Sequence, residues 1–290
     1  VLAALRITCS LLKLRIGVAI AASALAGAAA TEGPQLSAVQ ATALALAVLG
    51  ASGAAGAFNH YYERDLDRRM TRTRTRPFAS GSLQPGAVWP VIFAALLIAS
   101  LALAWAVGGA VSALFVFLGA FTYGVVYTVW LKRQSVWNIV LGGLAGSFAV
   151  LAGAAAVDPA PQLFPAVLAV VLFLWTPPHF WSLAAAKADE YTKAGVPMLP
   201  TQVSERVWTL AILLHTLALV AISLVPLWHG QGVVYALGAG LGGAYFLWKS
   251  LALYLDPGKR TAMANFLASL VQLTLLILAV ILDALLRSPA

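Results

Sequence analysis

The stretch VWPVIFAALLIASLALAWAV, Val88–Val107, carries no charged side chain over twenty residues. After Gly108-Gly109 a second uncharged run continues to Trp130. A backbone in lipid has no water to bond to, so runs of this length are spanning helices or strands of a closed barrel. Barrel strands alternate polar and apolar residues, and these runs do not. Reading outward gives nine apolar segments, at about 14–30, 36–58, 88–107, 110–130, 138–157, 162–182, 206–226, 231–254 and 262–285. The sequence predicts an all-α polytopic membrane protein of nine transmembrane helices, with 1–290 forming a single integral-membrane domain.

Composition agrees. Of 290 residues, 61% are hydrophobic and 10% charged, against about 25% charged in soluble domains. A water-soluble enzyme and a disordered chain are excluded. The single cysteine, Cys9, excludes a disulfide scaffold.

The net charge of +8 is not spread evenly. All but Arg287 of the 18 lysines and arginines fall at the N-terminus or in and beside alternate connections, Lys249 near the end of the eighth segment included. The connections Thr31–Gln35, Gly108–Gly109, Asp158–Gln162 and Trp228–Gln231 hold none. The positive-inside rule then places the N-terminus in the cytoplasm and the C-terminus outside. This segregation points to a membrane face rather than to nucleic acid. Arg6, Lys13 and Arg15 before an apolar stretch to Ala30 also resemble a signal peptide, whose removal would leave eight spans.

The polar connections carry the chemistry. Asn59, Glu63 and Asp67 follow the second apolar run at i, i+4 and i+8, one stripe of a helix continued to the membrane surface. Two carboxylates and an amide make a hard-oxygen set, and magnesium is held by one or two carboxylates plus substrate phosphates. Arg72 and Arg76, spaced to share a face, suit phosphate oxygens. Together they describe a diphosphate site. The other reading is a solvated loop in which the arginines neutralise the acids without a metal, and Arg68, Arg69 and Arg74 fit it better. Asp65 is expected to pair with Arg68 or Arg69.

A second cluster is Thr176-Pro177-Pro178-His179-Phe180-Trp181, followed by Lys187, Asp189, Glu190 and Lys193. The proline pair is expected to break or kink the sixth helix. His179 beside it is either a functional group or the partner in an interhelical hydrogen bond. His60 is expected to face the loop, and His215 to be structural. Asn265 and Gln272 share one face of the ninth helix and are expected to point inward as packing features. Gly142, Gly143 and Gly146 are expected to allow close helix approach.

These segments resemble the UbiA superfamily of intramembrane prenyltransferases, nine-helix bundles with two acidic motifs on cytoplasmic loops. The matching stretches are Asn59-x3-Glu63-Arg64-Asp65-x-Asp67, Met70-x-Arg72-Thr73-x2-Arg76-Pro77, Tyr127-x3-Leu131-Lys132-Arg133-x4-Asn138-Ile139-Val140-x-Gly142-Gly143, TPPHFW from Thr176, and AGVPMLP from Ala194. The last two resemble the heme-modifying branch, and the likeness runs from about residue 12 to 285. Three positions depart from the pattern. Glu63 stands where Asp is usual. Ala185 and Ala186 leave only Asp189 and Glu190 of a DxxxD motif, and Lys13-Leu14-Arg15 lacks a proline.

The resemblance implies transfer of the farnesyl group of farnesyl diphosphate to a vinyl group of heme b. Water is added, and heme O and diphosphate are the products. It implies Mg2+ on Asn59, Glu63 and Asp67, and diphosphate on Arg72, Arg76, Lys132 and Lys187. Asp189 would serve a second metal or position Lys187. His179 would meet the heme at iron or at the porphyrin edge, and Arg133 or Lys193 the propionates. Implied partners are the two substrates, membrane lipid, and a heme A synthase or oxidase-assembly protein; the implied location is the bacterial inner membrane. Alternatives are another aromatic acceptor, such as a quinone precursor, and a transporter. A transporter would place ionisable groups at the midplane in repeated broken helices, whereas these acids sit in loops.

Overall fold

The computed structural model describes residues 2–287. Its helices are α1 (Leu2–Leu11), α2 (Leu14–Ala29), α3 (Ala38–Tyr62), α4 (Arg64–Asp67), α5 (Val88–Phe121), α6 (Asn138–Gly142), α7 (Leu144–Val157), α8 (Leu163–Ala186), α9 (Ala188–Ala194), α10 (Leu199–Gln202), α11 (Glu205–Ser223), α12 (Val233–Leu255) and α13 (Lys259–Arg287). A π-helix, Thr122–Leu131, prolongs α5, and a short 3-10 turn, Val225–His229, follows α11. The described residues contain no strand.

Six of these helical segments are long and apolar enough to cross a membrane, or seven if the pair Ala4–Leu11 and Leu14–Ala29, bent by 50°, is one span. The expected count of nine is therefore not reached on length and apolarity among the described residues. One of the six, Val88–Leu131, runs 44 residues, roughly twice what a ~30 Å hydrocarbon layer accommodates. Gly109 interrupts it with φ 70 and ψ −170, a backbone that glycine adopts readily. That break coincides with the boundary read from Gly108-Gly109.

The molecule is apolar outside and holds polar groups within. Ile98 and Leu241 are 66% and 64% exposed, while Asn265 and Gln272 are fully buried. An apolar exterior of this extent belongs against lipid, and the chain is an integral membrane protein. Asn265 joins three helices: its amide donates to Ser182 Oγ and its oxygen accepts from Ser250 Oγ, each at 2.9 Å. Ser250 in turn bonds Thr216 at 2.9 Å.

Small residues set the closest approaches. A Cβ on Gly153 would stand 1.7 Å from Ala24 O, and one on Gly27 2.0 Å from Val150 O, so α2 and α7 touch backbone to backbone. Of Gly142, Gly143 and Gly146, Gly143 is the tightest, its Cβ meeting Thr176 at 2.9 Å; one on Gly142 would meet Tyr127 at 3.1 Å, and Gly146 has ordinary clearance.

The expected break is not there: Pro177 and Pro178 lie inside a helical α8. Each proline removes one backbone donor, those that would bond the carbonyls of Phe173 and Leu174, while the flanking hydroxyls bond other carbonyls. Thr176 Oγ1 donates to Leu172 O (3.0 Å) and Ser182 Oγ to Pro178 O (2.6 Å).

Candidate active site at one end of the bundle

The Asn59–Asp67 stripe survives folding although α3 ends at Tyr62. Glu63 N bonds Asn59 O at 2.9 Å and Asp67 N bonds Glu63 O at 2.8 Å, so the i→i+4 ladder carries on into α4. The three side chains are buried, at 1%, 0% and 1% exposure. Asn59 Nδ2 donates to Glu63 Oε2 at 2.7 Å and to Thr128 Oγ1 at 3.0 Å. That fixes the amide with Oδ1 turned toward Lys13.

Each oxygen-bearing group meets a cation. Lys13 Nζ donates to Asn59 Oδ1 (2.6 Å) and to the Tyr123 hydroxyl (2.5 Å). Lys132 Nζ donates to Glu63 Oε2. Arg76 Nη1 reaches both oxygens of Asp67 at 2.9 Å. Burial pulls the Lys132 ammonium below the ordinary lysine value, and the Glu63 charge works against that pull.

The π-helix makes this convergence. With an α-helical period, Tyr123 and Lys132 would face opposite ways. The wider i→i+5 turn lets Tyr123, Thr128 and Lys132 all address the Asn59–Glu63 face. The wall beside the site is apolar and aromatic, built from Leu66, Met70, Tyr127, Ile139, Val140, Trp181 and Tyr191.

The two acidic loops meet. Arg72 N donates to Glu190 Oε2 at 3.3 Å across 118 positions, and the Arg72 side chain bonds Tyr191, whose hydroxyl is pushed up by burial. Lys187 Nζ stands 3.7 Å from Glu190. Gly195, at φ 68, ends α9 in the left-handed form glycine favours. Asn138 Nδ2 then ties the following loop through Pro197 O at 3.0 Å.

Several placements differ from the sequence reading. Arg72 and Arg76 do not share a helix face: residues 68–87 lack helix, and the two bind Tyr191 and Asp67 respectively. Asp189 neither enters the cluster nor pairs with Lys187. It is exposed and bonded to Lys259 at 2.8 Å, a contact that lowers its pKa. Glu190 is the acid that turns inward, because α9 places adjacent residues on different faces. His60 is not loop-facing; it is buried in the last turn of α3, with Nδ1 unpartnered. His179 Nδ1 is bonded to Ser269 Oγ at 2.7 Å, with its ring stacked on Trp175. Arg133 and Lys193 are exposed. Asp65 pairs with Arg68 at 3.5 Å, and His215 bonds Ala211 O.

Sequence reasoning took Lys13 only as a topology signal and gave no role to Tyr123, Thr128, Asn138 or Glu190. A lysine at the foot of an apolar helix was the one available signal for Lys13.

The donor set fits a hard divalent ion. Glu63 Oε1 is a buried carboxylate oxygen with no partner, next to the Asn59 amide and the Asp67 carboxylate. No group of three or more His, Cys, Asp or Glu could hold a metal among the described residues. An ion here would therefore take part of its coordination from a ligand's phosphate oxygens.

The sequence profile of the UbiA prenyltransferase family matches residues 20–276. The chain belongs to the UbiA prenyltransferase family. UbiA relatives include protoheme IX farnesyltransferase 2 of Paramagnetospirillum magneticum, 55% identical over 282 residues, covering 97% of this chain and 98% of the relative. Protoheme IX farnesyltransferase of Gluconacetobacter diazotrophicus is 37% identical, covering 94% and 90%. Among solved structures, digeranylgeranylglyceryl phosphate synthase superposes with a TM-score of 0.79 at 16% identity, covering 97% of this chain and 98% of that one. A UbiA homologue from Archaeoglobus fulgidus bound to GPP and Mg2+ gives 0.68 at 16%, covering 95% and 99%. At such identities these two carry the fold.

Proposed function

We propose that this UbiA-family enzyme transfers the farnesyl group of farnesyl diphosphate to a vinyl group of heme b with addition of water, giving heme O and diphosphate. The carrying observation is the buried cluster of Asn59, Glu63 and Asp67 faced by Lys13, Lys132 and Arg76 at one end of a lipid-exposed bundle. The heme acceptor is supported by full-length relatives named protoheme IX farnesyltransferase.

In this reading Asn59, Glu63 and Asp67 hold Mg2+, which when bound neutralises charge on the diphosphate. Arg72, Arg76, Lys132 and Lys187 bind the diphosphate oxygens and stabilise charge as the C–O bond to the farnesyl C1 breaks. Tyr127, Trp181, Ile139 and Val140 wall the allylic cation from bulk water until the vinyl carbon attacks. Water then adds to the carbon left positive, its surplus proton passes to the diphosphate, and diphosphate departs. His179 contacts the heme through its edge, Arg133 or Lys193 meets the propionates, and Asp189 is left to a peripheral electrostatic role. The site faces the cytoplasm of a bacterial inner membrane, with the N-terminus inside and the C-terminus outside. Residues 1–290 act as one domain of nine spans. A heme A synthase or oxidase-assembly protein would receive the product.

The test is expression in membranes supplied with heme b, farnesyl diphosphate and Mg2+, followed by heme extraction and mass spectrometry. A product carrying farnesyl plus water is expected. Prenylation of a hydroxybenzoate, with heme b untouched, would transfer the assignment to a quinone-precursor enzyme.

A further inference from the structure

Of the oxygens a metal would take at this site, Glu63 Oε1 has no partner and the others are held by side-chain cations. Asn59 Oδ1 is held by Lys13 at 2.6 Å, Glu63 Oε2 by Lys132, and both Asp67 oxygens by Arg76 at 2.9 Å. Lys13 is built for this place. It lies in the bend between α1 and α2 at φ 49, the one non-glycine residue at positive φ among those described, a conformation that persists only where surroundings enforce it. Its stem runs over Gly56, where a Cβ would meet Lys13 Cδ at 3.3 Å, and its ammonium also rests on Tyr123.

The charges decide what can enter. Formally, three cations face two carboxylates, so the empty cluster is positive by one. A divalent ion alone would raise that charge in a buried place while displacing ammonium groups that have no second anion to go to. A diphosphate ester alone, at about three negative charges, would bring its oxygens against two carboxylates. Together, ion and diphosphate bring the whole to near neutrality, and each displaced cation finds a phosphate oxygen.

We infer that Lys13, Lys132 and Arg76 act as exchangeable counter-ions: they occupy all of the metal's oxygens but Glu63 Oε1 until diphosphate arrives, so divalent metal and diphosphate load jointly and neither binds well alone. Lys13 is thereby a diphosphate-binding residue whose resting partner is Asn59. This inference rests on the diphosphate reading above.

Binding of Mn2+ to the purified full chain in detergent tests it, followed by loss of the free-ion electron paramagnetic resonance signal. Inorganic diphosphate is the second probe, with the solution Mn2+–diphosphate complex subtracted. For the native chain, diphosphate should tighten Mn2+ binding about tenfold or more, within the range usual for coupled sites. Lys13→Met should bind Mn2+ alone several-fold more tightly and lose most of the gain from diphosphate. Arg15→Met removes the same charge from an exposed neighbour and should match the native chain. If Lys13→Met does not accumulate in folded form, Lys132→Gln is expected to show the same pattern. Equal Mn2+ affinity with and without diphosphate in the native chain, or a Lys13→Met variant weakened equally in both conditions, overturns the proposal. Heme farnesylation without such coupling sinks only this inference; coupling together with prenylation of a different acceptor sinks only the heme assignment.

Discussion

Lys13 and Asn59, 46 positions apart, are joined by a 2.6 Å bond from Nζ to Oδ1. That contact ties the foot of α2 to the end of α3 and brings a third cation to the two carboxylates. It also makes the Asn59 oxygen part of an electrostatic cluster rather than of a solvated loop.

Asp67 is buried and carries Arg76 on both oxygens. Asp67→Asn keeps the shape but removes the charge that holds both the arginine and a divalent ion. Turnover should fall by on the order of 10²-fold or more, the scale of losing one electrostatic stabiliser. The protein should still insert in the membrane. Farnesylated heme measured per folded enzyme checks this, and undiminished turnover would discard the metal role.

Asp189 and Glu190 separate cleanly. Asp189 lies at the surface on Lys259, whereas Glu190 receives the Arg72 amide and stands near Lys187. Asp189→Asn should leave turnover within about twofold, since exposed pairs contribute little. Glu190→Gln should raise the KM for farnesyl diphosphate by releasing Arg72 and Lys187. Steady-state kinetics on the two variants, with the opposite ranking as the damaging result, tests the assignment.

Burial pulls the Lys132 pKa below 10.5. A lysine with a lowered value loses its proton at a lower pH, so the charge offered to diphosphate disappears on the alkaline side earlier than for a free lysine. kcat/KM should fall with rising pH below the ordinary lysine range. Lys132→Arg, which keeps its proton throughout, should move that limb upward. A profile identical in both enzymes would remove Lys132 from the binding step.

Gly27 and Gly153 let α2 and α7 touch through their backbones. Gly153→Ala places a methyl group where Ala24 O already lies. Overpacking costs about 1–3 kcal/mol or more. Thermal unfolding in detergent should show a lowered midpoint and reduced folded yield, while Gly81→Ala, at a position with open space around it but positive φ, should cost less.

His179 is bonded through Nδ1 to Ser269, stacked on Trp175 and tilted against Phe266. His179→Phe keeps a ring in the stack and removes the nitrogen atoms. If this residue meets the heme, heme b affinity should drop with the KM for farnesyl diphosphate unchanged. Loss of stability with unaltered heme affinity would assign it to helix packing.

Much of this was legible from residue order. Long uncharged runs dictate spanning helices because lipid offers no backbone partner, and the Asn59–Glu63–Asp67 spacing dictates a shared helix face. Gly108-Gly109 marked a break that the structure places at Gly109. The proline pair does not break α8, because neighbouring helices pack along it on both sides of the pair. Asp189 misled because adjacent residues on α9 differ in facing by about 100°, and a motif match does not say which acid turns inward.

The sequence by itself determined that this chain lives in a membrane, that the acids of its two motifs sit at the ends of apolar runs, and that one stripe of oxygens lies on one helix face. These follow from local chemistry: hydropathy, charge and helical period act over a few turns. Only the tertiary structure decided that Lys13, Lys132 and Arg76 converge on that stripe and that Glu190, not Asp189, meets the Arg72 loop. Those facts depend on a π-helical turn from Thr122 to Leu131 and on loops meeting across 118 positions. Contacts between distant segments are fixed by how the helices pack, which no local pattern encodes.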